Sequence, residues 1–316
     1  MSDDSVKKLP SDEHQYLALI RDLLATGIPR TQERTGTGTR AKFGAQTRYR
    51  LTSPATGVPI LPLFTTKFVS FQNVWTELFF FLKGKTHSHW LAKNRCHIWK
   101  GNSTRAFLDS RGLHHYPEGQ LGPVYGAQWR HFGGRYLGAD PETGDSRYAP
   151  GHEGIDQIQQ VIHDLKTDPE SRRHLVVAWN PADLPHMALP PCHALFQFFS
   201  EVCPTTGRRF LSCQMYQRSA DMGLGVPYNV ASYAILTHIV AQLTGMVAKE
   251  FIHTLGDYHI YENHRQALEL QCSREPLEFP TLHIRQNLAS LDDLQLDDVT
   301  MCRYDSHPPI KMDMSV

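Results

Sequence analysis

Residues 230–248 read VASYAILTHIVAQLTGMVA, the longest weakly polar stretch in the chain. A helix that is apolar all round has to be enclosed all round. Ser232, Thr237, His238 and Gln242 interrupt the run, which points to a helix buried in protein rather than a membrane span. Enclosing such a helix takes a large core. A chain of 316 residues is long enough, since at this size roughly three quarters of the unfolded surface is buried on folding. The expectation is one α/β domain, with surface insertions near 51–60 and 133–154.

Flanking segments supply the layers. In DEHQYLALIRDLLATGI, Tyr16, Leu17, Ile20, Leu23 and Leu24 fall at helical spacing and Gly27 ends the helix. RTGTGTRAKFGAQTRYRL alternates and is rich in Thr and Gly, which predicts a hairpin. VWTELFFFLKG predicts a buried helix closed by Gly84. GIDQIQQVIHDLKTDPES predicts an amphipathic helix with Ile155, Ile158, Val161, Ile162 and Leu165 on one face. RRHLVVAWN predicts a strand, and HALFQFFSEV and FLSCQMYQRS a hairpin joined by CPTTGRR. GGRYLGADPETGDSRYAPGHEG reads as a polar loop, and residues 1–12 as a disordered tail.

Lys+Arg and Asp+Glu both number 32, so formal net charge is zero. That argues against a general nucleic-acid binder but leaves room for a small anion held by a few arginines. The six cysteines are dispersed and lack a C-x-x-C, which is neither a disulfide framework nor a zinc ribbon. The N-terminus is polar, without the apolar core of a signal peptide. A reducing, cytoplasmic setting is expected.

Cys192 follows Pro190 and Pro191 and precedes His193. A thiolate is the reactive form of cysteine, and a nearby positive charge favours it. Strand alternation turns His193 away from Cys192, whereas Arg218 on the other arm of the hairpin is a permanent cation within reach. The plain alternative is a buried structural cysteine. Arg34, Arg172, Arg173 and Arg218, with Ser219, suit a phosphate dianion; singly, each also fits a surface salt bridge. Asn229 reads equally as a ligand contact or as a helix N-cap. His259 and Tyr261, two apart, share a face if YHIYE is extended. His87, His89 and His97 have no metal-ligand spacing, so no metal is expected. The residues alone indicate a cysteine-nucleophile enzyme acting on a phosphorylated small molecule.

The chain also resembles the thymidylate synthase family. The resemblance rests on ERTGTGT at 33–39, LPLFTTK ending at Lys67, ELFFFLKG at 77–84, IWKGNS at 98–103 and LGPVYGAQWRHFG. It continues through SRRHLVVAWN, LPPCHALFQF, LSCQMYQRSADMGLGVPYNVASY, FIHTLGDYHIYENH and YDSHPPIKMDMSV. It covers the chain from about residue 12 to Val316. The resemblance implies an α/β (α+β) single-domain fold over 13–316, with a large mixed β-sheet flanked by helices and sheets packed back to back in a homodimer. It implies reductive methylation of dUMP to dTMP, with 5,10-methylenetetrahydrofolate as co-substrate and no metal.

Residue roles follow from the same resemblance. Cys192 is the nucleophile, with Glu77, Tyr125, Asn229, Arg218 and His193 completing the catalytic set. Arg34, Arg218 and Ser219 hold the dUMP phosphate, joined by Arg172 and Arg173 from the partner subunit. Asn229 and the Asp221 backbone read the base, and His259 and Tyr261 meet the 3′-hydroxyl. Lys67, Ile98, Trp99, Asn102, Asp221, Leu224, Gly225, Tyr228 and the Val316 carboxylate serve the folate. A uracil-specific hydroxymethylase of the same family shares the covalent step and stays open; a cytosine-specific one would carry an acid at position 229. A catalytically idle homologue that binds RNA is a third reading, against which neutral charge and intact Cys192, Glu77 and Asn229 speak. Departures from the family pattern include Phe68 for an arginine, Phe80 for a tryptophan, Tyr258 for a small residue and Arg303 for a glycine. These bear on folate-tail affinity and loop closure, not on the reaction class.

Overall fold

A computed structural model describes residues 11–31 and 36–314. The helices are α1 (Glu13–Thr26), α2 (Phe71–Leu82), α3 (Ser88–Lys93), α4 (Arg105–Ser110), α5 (Tyr125–His131), α6 (Gln157–Thr167), α7 (Gly225–Leu243) and α8 (Arg265–Cys272). The strands are β1 (Ile28–Arg30), β2 (Thr39–Arg50), β3 (Tyr136–Ala139), β4 (Ser146–Tyr148), β5 (Leu175–Val177), β6 (His193–Val202), β7 (Arg209–Asp221), β8 (Val247–Tyr261), β9 (Thr281–Ile284) and β10 (Val299–Cys302). Among the described residues one sheet has six strands in the order β1-β2-β8-β7-β6-β5. It is mixed: β7 and β8 run parallel and the other neighbours are antiparallel.

The expected apolar helix is α7. It is the crossover that a parallel β7–β8 pair requires, and it packs on β7, β8 and α2. Residues 230–241 are all buried. Its polar side chains are satisfied inside: Thr237 Oγ1 donates to the Tyr233 carbonyl at 2.7 Å, and His238 Nε2 lies 3.0 Å from the Ile60 carbonyl oxygen. Among the described residues no helix is long and apolar enough to cross a membrane.

Helix α1 is pinned by charge at its start. The fully buried Glu13 carboxylate accepts four hydrogen bonds, from the backbone N–H and hydroxyl of both Thr65 and Thr66. A buried carboxylate is tolerable only with such satisfaction. Asp12, within the segment read as a tail, accepts from the Arg50 backbone and guanidinium. Ser70 caps α2 by accepting from Asn73 N–H, and Gly84 follows the helix at φ +66°. That backbone favours glycine, and a Cβ there would also meet Arg130 Cβ at 3.3 Å.

Three sequence readings change. The hairpin expected after residue 33 is one twelve-residue strand, β2, paired with β8 some 200 residues away and with β1. Ile155 precedes α6 and is 61% exposed, while Ile158, Val161, Ile162 and Leu165 are buried as expected. The polar segment 133–154 contains the β3–β4 hairpin.

Leu175 and Phe199 are exposed and share one face of the sheet, because Leu175 sits opposite Gln197 and Phe199 lies two residues further along β6.

Candidate active site

The thiol loop is held from both sides. Arg218 N–H donates to the Cys192 carbonyl at 2.8 Å, while its guanidinium donates to the Pro191 carbonyl at 2.8 Å and the Pro190 carbonyl at 3.0 Å. The guanidinium carbon lies 5.1 Å from the centre of the Trp179 ring. From the opposite side, Tyr125 Oη accepts the Cys192 N–H at 2.7 Å. Cys192 itself is half-buried. The two prolines give up their own N–H groups, and their carbonyls bind the arginine predicted to approach the cysteine.

His193 faces inward, as strand alternation predicts. Its ring stacks on Tyr125 at 3.9 Å, and Nδ1 lies 2.8 Å from Tyr233 Oη. Burial pushes its pKa down to about 3, with the nearby His253 a lesser cause. Burial also raises the Tyr125 phenol well above its usual range. Both rings are therefore neutral near pH 7.

Glu77 comes from α2. Its Oε1 accepts from Trp99 Nε1 at 2.8 Å, and the Trp99 ring meets Tyr125 edge-on at 6.1 Å. Burial pushes the Glu77 carboxyl up to about 7, partly opposed by the Trp99 hydrogen bond. A carboxyl poised there can both give and take a proton at neutral pH. Glu77 also contributes to the raised pKa of Tyr228, so the two side chains share one environment.

The fourth wall is the junction of β7, α7 and β8. Asn229 is the fifth residue of α7; Leu224 is the N-cap, so the capping alternative is overturned. Asn229 Oδ1 accepts from Gln217 Nε2 at 3.0 Å, and the same amide donates to the Ser219 carbonyl at 3.0 Å. Asp221 Oδ1 accepts the Gly223 N–H, and a Cβ at Gly225 would lie 3.7 Å from both Asn229 Oδ1 and Asp221 Cβ. Leu224, Gly225, Tyr228 and Asn229 thus begin α7 directly beside the end of β7. Asp221 pairs with His259 across the parallel strands; His259 meets the Tyr261 ring at 5.5 Å and places Nδ1 3.0 Å from Asp257 Oδ1.

Other expected residues are placed less centrally. Lys67 is buried, donates to the Gly223 carbonyl, and has its pKa lowered to about 8 by burial against the attraction of Asp221. Asn102 is buried in the short 3-10 turn Gly101–Ser103, and Ile98 is part-buried just before Trp99. Arg172 and Arg173 are exposed just before β5. Neither guanidinium has an ion-pair or hydrogen-bond partner among the described residues; Arg172 offers only its carbonyl, to Gln197. Arg34 and Val316 lie outside the described residues. Reading the residues singly missed Gln217 and His253, which no local pattern marks. Among the described residues no cluster of three or more His, Cys, Asp or Glu could hold a metal.

The family model described as Thymidylate synthase matches residues 14–316. The chain is 48% identical over 313 residues to a thymidylate synthase of Homo sapiens, covering 99% of this chain and 94% of that protein. It is 48% identical over 304 residues to a thymidylate synthase of Herpesvirus ateles, covering 96% and 98%. A bifunctional dihydrofolate reductase-thymidylate synthase of Leishmania major is 48% identical over 305 residues, 96% of this chain and 55% of that longer protein. With a match of that length and identities of that level, the chain belongs to the thymidylate synthase family.

Proposed function

We propose that this cleft methylates dUMP through a covalent bond between Cys192 Sγ and C6 of the uracil. The enzyme is a methyltransferase that makes dTMP; 5,10-methylenetetrahydrofolate supplies the one-carbon unit and the hydride and leaves as dihydrofolate. C5 of uracil is a poor nucleophile. When the sulfur adds at C6, the C5–C6 π pair moves toward C5 and O4, and C5 becomes able to attack. Later the C5 proton is lost and the Cys192–C6 bond breaks, regenerating the thiolate. The observation that carries this reading is the double fixing of the Cys192 loop, by Arg218 and by Tyr125.

Glu77, with its raised pKa, handles protons around O4 and C5 through water, with His193 nearby. Tyr125 assists removal of the C5 proton. Asn229 and the Asp221 backbone read the base, His259 and Tyr261 hold the sugar, and Arg34, Arg218 and Ser219 hold the phosphate. The donor set suits the folate: Trp99 and Tyr228 offer flat faces, and the Asp221 carboxylate accepts only the Gly223 N–H among the described residues. Ile98, Asn102, Leu224, Gly225 and Lys67 line that side, and the Val316 carboxylate closes over it to exclude water.

The working unit proposed is a homodimer of one catalytic domain, residues 13–316, in the cytoplasm. The exposed Leu175 and Phe199 meet their counterparts, and Arg172 and Arg173 cross to the partner's phosphate site. Exposed arginines whose guanidiniums have no partner among the described residues support that assignment. The test is spectrophotometric: dihydrofolate formation from dUMP and methylenetetrahydrofolate, in the natural protein and in Cys192→Ala. Cys192→Ala should bind dUMP and lose turnover; near-normal turnover would overturn the covalent reading.

A further inference from the structure

We propose that His253 is a positioning residue for base discrimination, acting through Gln217 on Asn229. This rests on the reading of Asn229 as the residue that faces the base. His253 lies in β8, fully buried, with its ring stacked on Phe251 at 5.7 Å. Its Nε2 is 2.8 Å from Gln217 Oε1, and its Nδ1 is buried without a partner among the described residues.

The geometry sets a chain of orientations. The Ser219 carbonyl can only accept, so the Gln217 atom 3.0 Å from it must be the amide nitrogen. Gln217 Oε1 therefore faces His253, and Nε2 of that ring must carry the proton. The Gln217 nitrogen also points at Asn229, so the Asn229 atom 3.0 Å away must be the carbonyl oxygen. The Asn229 NH2 is then turned the other way and has no partner among the described residues. It offers donors, as O4 of uracil requires and the 4-amino group of cytosine does not. With the other tautomer of His253, a bare nitrogen would face Gln217 Oε1, and the orientation of both amides would lose its anchor. Burial lowers the His253 pKa to about 3, which keeps the ring neutral. Nothing in the chemistry of the reacting atoms requires His253; its part is to hold two amides in one orientation.

The experiment compares His253→Phe, which keeps a ring but loses the donor, with His253→Gln, whose amide nitrogen can replace Nε2–H. The readout is dUMP preference: KM for dUMP against the inhibition constant of dCMP as competitor, with kcat measured in parallel. Losing one hydrogen bond of this kind should reduce the preference roughly tenfold in His253→Phe, with kcat falling less and His253→Gln restoring most of it. Should the Phe variant not fold, His253→Asn serves, since its shorter amide does not reach Gln217. Asn229→Asp is the control for the underlying reading. If Asn229→Asp moves preference toward dCMP while His253→Phe or His253→Asn keeps the natural ratio, the proposal is overturned. If neither changes the ratio, it is the reading of Asn229 that fails.

Discussion

Replacing Glu77 by glutamine tests the electrostatics of the cleft without removing its packing. In the folded protein burial holds the Glu77 carboxyl up to about 7, against an ordinary value of 4.5. Below pH 4.5 both folded and unfolded states carry the proton, and Glu77 makes no difference to the pH dependence. Between pH 4.5 and 7 the unfolded state releases the proton while the folded state keeps it, so stability falls as pH rises, and the loss is complete above 7. The gap is roughly 2.5 pH units at about 1.4 kcal/mol each, or about 3–4 kcal/mol in all. Glutamine keeps an oxygen to accept from Trp99 Nε1 and has no proton to lose. Urea denaturation of both proteins at fixed concentration, from pH 4 to 8, should show Glu77→Gln gaining about 3–4 kcal/mol relative to the natural protein across that window. Other carboxylates titrate alike in both, so the difference curve isolates Glu77. Parallel curves would refute the raised pKa, and with it the assignment of Glu77 as proton donor and acceptor near neutrality. Turnover by Glu77→Gln should fall at least a hundredfold if that assignment holds, on the order of a general acid–base contribution.

Mixing Cys192→Ala chains with Arg173→Glu chains should restore activity, because one site of the mixed dimer has an intact thiol and an intact partner arginine; no recovery in isolated heterodimers would place Arg173 elsewhere. Deleting Val316 should leave dUMP binding nearly unchanged by titration and cripple methyl transfer, and normal turnover would remove the tail from the mechanism. Arg303 sits at φ +60°, where an L side chain is strained. Arg303→Gly should therefore stabilise the protein by about 0.5 kcal/mol net of the extra freedom glycine has when unfolded, read as a small rise in Tm; a fall would show that the Arg303 side chain contributes more than its backbone costs.

What could be read from the chain was what local pattern controls. Residues 230–241 announced burial because no face is polar, and Pro190-Pro191-Cys192 announced a stiff thiol because proline restricts its own backbone. Arg218 was legible because a hairpin register brings it opposite Cys192. The failures lie where the partner is distant in sequence. The alternation of β2 was real, but its pairing partner is β8, and the Gly-Thr run ahead of it simulated a turn. Asn229 resembled a cap because helix starts blur in sequence; in the fold, α7 begins at Gly225 and Asn229 sits one turn inside. Gln217 and His253 gave no signal, since their meeting depends on the parallel pairing of β7 with β8. Raised and lowered pKa values at Glu77 and His193 were likewise invisible, because desolvation belongs to the assembled core.

The place of β8 in the sheet bears on how the protein is made. β2 lies against β8 along nearly its whole length, so residues 39–50 leave the ribosome long before their partner at 247–261 exists. At about 5–20 residues per second, that wait for roughly 200 residues is on the order of 10–40 s. Throughout it, a twelve-residue strand with an unpaired edge stands available to any other extended chain. The apolar α7 is also translated before β8, the strand that completes its enclosure. A ribosome stalled before residue 247 would therefore display a strand without its β8 neighbour and a helix without its full cover, and holdase chaperones should crosslink to such stalled chains far more than to chains arrested after residue 261 has cleared the exit tunnel.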